Sequence, residues 1–125
     1  MPREDDQKPK RRPGRPTYRT FHDKIGFRVA TTLHLAMKLL ASEKNVRQEE
    51  VYTEAIKYFI SMREHKDIVY TAPPLPPLSS RVTVPMEPNL AATARTIMEH
   101  DRQPLSDVFQ TAVRAYLTHL GRLPP

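Results

Sequence analysis

Residues 24–30 read Lys24-Ile25-Gly26-Phe27-Arg28-Val29-Ala30, with Ile25, Phe27 and Val29 alternating against Lys24, Gly26 and Arg28. A side-chain period of two predicts a strand with one apolar and one basic face. Such a strand needs a partner, because a lone one leaves its backbone groups unpaired. The same chain offers one. In Arg81-Val82-Thr83-Val84-Pro85-Met86-Glu87 the alternation returns, with Val82, Val84 and Met86 as the apolar set and Arg81 and Thr83 on the other face.

Behind the first strand, Thr31 and Thr32 are capping-type residues that open a segment with Leu33, Ala36, Met37, Leu40 and Ala41 at helical spacing. Asn45, which tolerates the left-handed conformation, marks its expected end. A second helix is expected with Val51, Tyr52, Ala55, Ile56, Phe59 and Ile60 on one face. Glu49 and Glu50 fall in its first turn, where the helix dipole favours acid.

The whole unit then repeats. Ile25 and Val82, Phe27 and Val84, Leu33 and Leu90, Val51 and Val108, and Ala55 and Ala112 are each separated by 57 residues, so nothing is inserted or deleted between the copies. In the second copy Pro88 opens the first helix, Ser106 is expected to cap the second, and Gly121 to end it. A single copy is too small to bury a stable core. Two copies with their strands antiparallel place all six apolar strand residues on one side, under four helices. The expected fold is therefore mainly α with a two-stranded antiparallel ribbon, two tandem strand-helix-helix units making a single-chain pseudo-dimer. The divisions are a basic arm over 1–20, a first unit over 21–62, a proline-rich linker over 63–79, a second unit over 80–121 and a tail over 122–125.

Charge is concentrated in the arm. Of the formal +6, residues 1–20 carry seven Lys/Arg against three Asp/Glu, a net +4, and include four prolines. A basic arm on a nearly neutral body suits nucleic acid, and serves equally as a solvated tail. Lys10-Arg11-Arg12-Pro13-Gly14-Arg15-Pro16 resembles the AT-hook, with Pro13 in place of the usual arginine before the glycine. Arg12 and Arg15 are the expected phosphate or minor-groove contacts. Ala72-Pro73-Pro74-Leu75-Pro76-Pro77-Leu78 reads as an extended spacer, and its overlapping PxxP patterns also suit an aromatic groove in a partner.

With the repeat in view, strand-helix-helix and the run Ser106-Asp107-Val108-Phe109-Gln110-Thr111-Ala112-Val113 resemble the ribbon-helix-helix superfamily of Met and Arc repressor-like proteins, over roughly residues 22–120. Both halves on one chain resemble the accessory DNA-binding proteins of conjugative relaxosomes. The whole stretch, Arg15 to His22 included, resembles the overdrive-binding accessory factors of the virulence C operon on tumour-inducing plasmids. The resemblance implies double-stranded DNA as partner, with the ribbon in the major groove. It makes Lys24, Gly26, Arg28, Arg81 and Thr83 the base-reading positions, Arg28 the first candidate for a bidentate guanine contact, and Pro85 the departure. It also implies a phosphate clamp at each second-helix N-terminus, to which Ser106 is suited; Arg47 would have to offset Glu49 and Glu50 at the other. Because Arg28 and Pro85 are equivalent positions, the expected site is asymmetric, with specificity leaning toward the first strand.

No catalytic reading is supported. The five histidines, His34 and His100 among them as expected helix-surface residues, have no metal-ligand spacing, and three glycines make no phosphate loop. No cofactor is expected. The absence of cysteine fits a reducing compartment, and no apolar run is long enough to span a membrane, so the expectation is a soluble bacterial cytoplasmic protein with no membrane partner. The minimal unit is expected to be a monomer, with side-by-side assembly on DNA and other DNA-processing or partition-type proteins as further partners. Transcriptional repressor or antitoxin-like autoregulator stays open as a use of the same fold, as does a protein-interaction module.

Overall fold

The computed structural model describes residues 23–70 and 78–122. Six elements follow in the order β1 (Asp23–Ala30), α1 (Thr31–Lys44), α2 (Gln48–Arg63), β2 (Ser79–Met86), α3 (Pro88–Asp101) and α4 (Leu105–His119). β1 and β2 form one antiparallel two-stranded sheet, and the four helices supply most of the ordered mass. The arm, the proline run and the last three residues lie outside the described residues.

The alternation in both strands does what a period of two dictates. Ile25, Phe27, Val29, Val82, Val84 and Met86 are all buried, while Lys24, Arg28, Arg81 and Thr83 are exposed on the other face. Phe27 stands at the centre of the core. Its ring stacks on Phe109 of α4 with centroids 4.0 Å apart and planes 5° from parallel, and tilts against Tyr52 of α2 at 5.5 Å. Fully buried Ala55, Ala91, Ala94 and Ala112 let the helices come close to one another and to the ribbon.

The starts of α1 and α4 differ from the sequence expectation. α1 begins directly where β1 ends, so its cap position falls on Ala30 and not on a threonine. The Thr31 N–H finds the Leu78 carbonyl at 2.8 Å, and its hydroxyl lies 3.2 Å from that of Ser80. At α4 the cap position is Pro104, and Ser106 sits inside the first turn without capping it. Helix ends follow expectation more closely. Asn45 closes α1 in the left-handed region (φ 57°) and Gly121 (φ 74°) follows α4; among the starts, Pro88 opens α3 as expected. Arg102 closes α3 at φ 56°, a left-handed position filled without glycine or asparagine.

The charged segment after α2 packs more than its composition suggests. Ile68 and Tyr70 lie against the core, and Tyr70 hydrogen-bonds through its hydroxyl to Asp101 at the end of α3. Arg63, the last residue of α2, grips the same carboxylate with both arms of its guanidinium, Nε to Oδ2 at 3.0 Å and Nη2 to Oδ1 at 2.5 Å. Arg63 first, with His100 and Tyr70 adding hydrogen bonds, holds the Asp101 carboxyl well below the usual carboxylate range. Asp101 thus joins the end of α2, the connector and the end of α3.

Candidate nucleic-acid interface

The outer face of the ribbon gathers the residues that the repeat singles out. The antiparallel register sets Lys24 opposite Pro85, Gly26 opposite Thr83 and Arg28 opposite Arg81, with Val29 opposite Ser80 and Ala30 opposite Ser79 beyond them. Directly opposed residues project from the same face. Lys24, Arg28, Arg81 and Thr83 are exposed, while Gly26 and Pro85 are half-buried.

Pairing changes how these side chains combine. Arg28 and Arg81, on different strands, share one end of the ribbon; Lys24 and Pro85 share the other. Basic character is therefore arranged by end, with both arginines at one end and Lys24 at the other. Each arginine reaches diagonally across the ribbon. The Arg28 Nη1 donates to Ser79 Oγ at 3.1 Å, toward the end of the sheet. Arg81 leans the other way over Gly26, where an added Cβ would stand 3.3 Å from its Nη2. Glycine at position 26 thus seats a guanidinium and carries no contact group of its own. Ser79 escapes a reading that starts the second strand at Arg81; extending the same alternation back by two residues finds it.

The N-terminus of α4 abuts the arginine end. Ser106 Oγ accepts the Arg28 backbone N–H at 2.8 Å, and Gln110 Oε1 accepts that of Ala30 at 3.0 Å. Neither contact is legible in the sequence, because both join residues about eighty positions apart. Ser106, the expected cap of α4, does not cap it; its oxygen anchors the strand beside the site. Asp107, one residue on, is buried, and burial pushes its carboxyl pKa up.

The other end is built differently. Pro85, the counterpart of Arg28, has no N–H to offer, and Glu49, the counterpart of Ser106, makes no such bond. Instead an open groove of about 550 Å³ separates the start of α2 from β2, with Lys38, Arg47, Gln48, Glu49 and Thr83 on its walls. Arg47 precedes α2 and is paired with Glu49 at 3.5 Å, so its charge is in part matched within the protein. Asp23 is paired with Arg95 of α3 at 3.3 Å. Arg12 and Arg15 lie outside the described residues.

His34 is half-buried, and not a freely exposed helix-surface residue, with Nδ1 2.7 Å from the Tyr52 hydroxyl. Burial, and then the charge of Lys38, lower its pKa. Among the described residues no group of three or more His, Cys, Asp or Glu side chains is placed to hold a metal ion, and no helix is long and apolar enough to cross a membrane. Comparison with family models, with curated proteins and with solved structures returns no match.

Proposed function

We propose that this chain binds double-stranded DNA by laying the β1–β2 ribbon in the major groove, and that its halves stand to each other as the two subunits of a ribbon-helix-helix dimer. The observation that carries the reading is an agreement between sequence and pairing. Residues 57 apart are equivalent, and Gly26 and Thr83, which are 57 apart, face each other across the sheet. Such a pairing near the middle of the ribbon is what a local two-fold axis relating the two strands requires. The chain ends of the helices obey the same operation: Ala30 (φ −55°, ψ 137°) corresponds to Glu87 (φ −56°, ψ 136°), and Asn45 (φ 57°, ψ 46°) to Arg102 (φ 56°, ψ 44°).

A two-stranded ribbon with a polar outer face fits the width of the major groove, where side chains reach base edges. Arg28, Arg81 and Lys24 are exposed on one face of the ribbon, and a cationic surface of that kind suits an anionic ligand. The resemblance of the tandem arrangement to relaxosome accessory proteins supports processing and transfer of plasmid DNA as the setting.

Fluorescence anisotropy on labelled duplexes, some from a plasmid transfer origin and some of random sequence, tests the reading across a salt series. We expect affinity to fall steeply with salt, the transfer-origin duplex to bind more tightly, and Arg28→Ala to remove roughly 1 to 3 kcal/mol of that preference. Binding that is absent, or indifferent to salt and to sequence, refutes it in favour of a protein-interaction module.

A further inference from the structure

The two-fold operation exchanges the ends of the ribbon. The position held by Arg28 in β1 is held by Pro85 in β2, at the far end, and the position held by Arg81 is held by Lys24. Both guanidinium groups are consequently placed between the centre and one end. The Arg28 side chain extends to Ser79 at the edge, and that of Arg81 extends back over Gly26 at the centre. Four strand positions separate those two seats, roughly 13 Å at about 3.3 Å per residue. The groups are thus spaced to address different base pairs, that of Arg81 at the centre of the site and that of Arg28 toward one end.

Surroundings reinforce the polarity. Beside the arginine end, the acid in the first turn of α4 is Asp107, which is buried. Beside the lysine end, Glu49 and Glu50 occupy the first turn of α2, and exposed Glu87 follows β2. A phosphate backbone passing the lysine end meets Glu50 and Glu87 together with Lys38 and with Arg47, whose charge Glu49 matches in part at 3.5 Å, a mixed environment unlike that of the arginine end. Lys24 is a point charge on a flexible stem, less directional toward guanine O6 and N7 than a planar guanidinium, and Pro85 offers no polar group.

We infer that the ribbon reads DNA from one end only. Base-specific contacts are confined to the centre and to the half-site under Arg28 and Arg81, whereas the half-site under Lys24 and Pro85 is held without base selection. The ligand class is an asymmetric duplex with guanines in one half, and the protein sits on it in one orientation. This rests on the DNA-binding reading above and adds a polarity to it.

Selection by the full chain from a library of short duplexes with a randomised centre tests the polarity, repeated with Arg28→Ala, Arg81→Ala, Arg81→Lys and Lys24→Ala. The expected motif is one-sided. Arg28→Ala should flatten a position toward one end and Arg81→Ala a position at the centre, each by roughly tenfold to a hundredfold in base preference. Arg81→Lys keeps the charge, and so should lose that position's preference while keeping the salt dependence. Lys24→Ala should leave every preference in place and reduce the salt slope by about 0.9. A two-sided, palindromic motif, or Arg28 and Arg81 mapping to opposite sides, overturns the inference while leaving DNA binding intact. If no duplex is enriched and binding ignores salt, the underlying reading falls with it.

Discussion

Gly26 shows how much a single missing side chain can decide. It sits in the middle of a strand, where glycine weakens a sheet, and no positive φ is recorded for it that would require glycine. What it provides is room: a Cβ there would stand 3.3 Å from the Arg81 guanidinium. That neighbour is the far end of a flexible side chain and can move aside. Gly26→Ala should therefore raise stability by about 0.5 to 1 kcal/mol in urea denaturation, by lowering unfolded-chain entropy. In the same variant Arg81 is displaced, and duplex discrimination should fall. Stability and discrimination moving together would refute the seat. A sequence shows Gly26 only as an outward position; the role appears once β2 is laid beside it.

At the scale of the element, α1 and α3 end in the same left-handed turn with different residues. Asn45 tolerates that conformation, whereas Arg102 (φ 56°) carries a Cβ close to the following carbonyl. Arg102→Gly should raise stability by about 0.5 to 1 kcal/mol, read as a higher urea midpoint at unchanged slope. The same change at Asn45 should give less, and an equal gain at both would show that the cap conformation is not what distinguishes them. Elements of this protein were legible because helix ends, apolar periods and the 57-residue offset are local patterns. The starts of α1 and α4 were not. Thr31 and Ser106 have hydroxyls that suit a cap, but each is engaged by the opposite half of the chain, Thr31 with Ser80 and Ser106 with the Arg28 N–H.

On the scale of the whole molecule, the Asp101 carboxylate fastens the two halves away from the ribbon. Arg63 and Asp101 are mostly shielded, at 29% and 15% side-chain exposure. Asp101→Asn should cost about 1 to 3 kcal/mol by weakening a charge-assisted pair. The pH dependence has a definite sign. The folded-state pKa of Asp101 is depressed, chiefly by Arg63. Its stabilisation is thus fully present above the unfolded carboxylate value, near 4, and is lost as pH falls below that toward the folded value. Denaturation midpoints of wild type and Asp101→Asn should converge below about pH 4 and stay separated at neutral pH. A constant separation would remove the ion pair as the cause.

The sequence by itself determined the six elements, the face each strand buries and the 57-residue spacing at which the apolar pattern recurs, because these follow from side-chain periods of 2 and 3.6 and from counting. It left the register open. Sliding β2 by two residues past β1 keeps Ile25, Phe27, Val29, Val82, Val84 and Met86 on the same face, so the hydrophobic pattern accepts several pairings equally. Only the tertiary structure chose the one that sets Gly26 against Thr83. Packing makes that choice: Phe27 must meet Phe109 while the N–H groups of Arg28 and Ala30 meet Ser106 and Gln110. That register is also what puts Arg28 beside Arg81 and gives the ribbon two unlike ends.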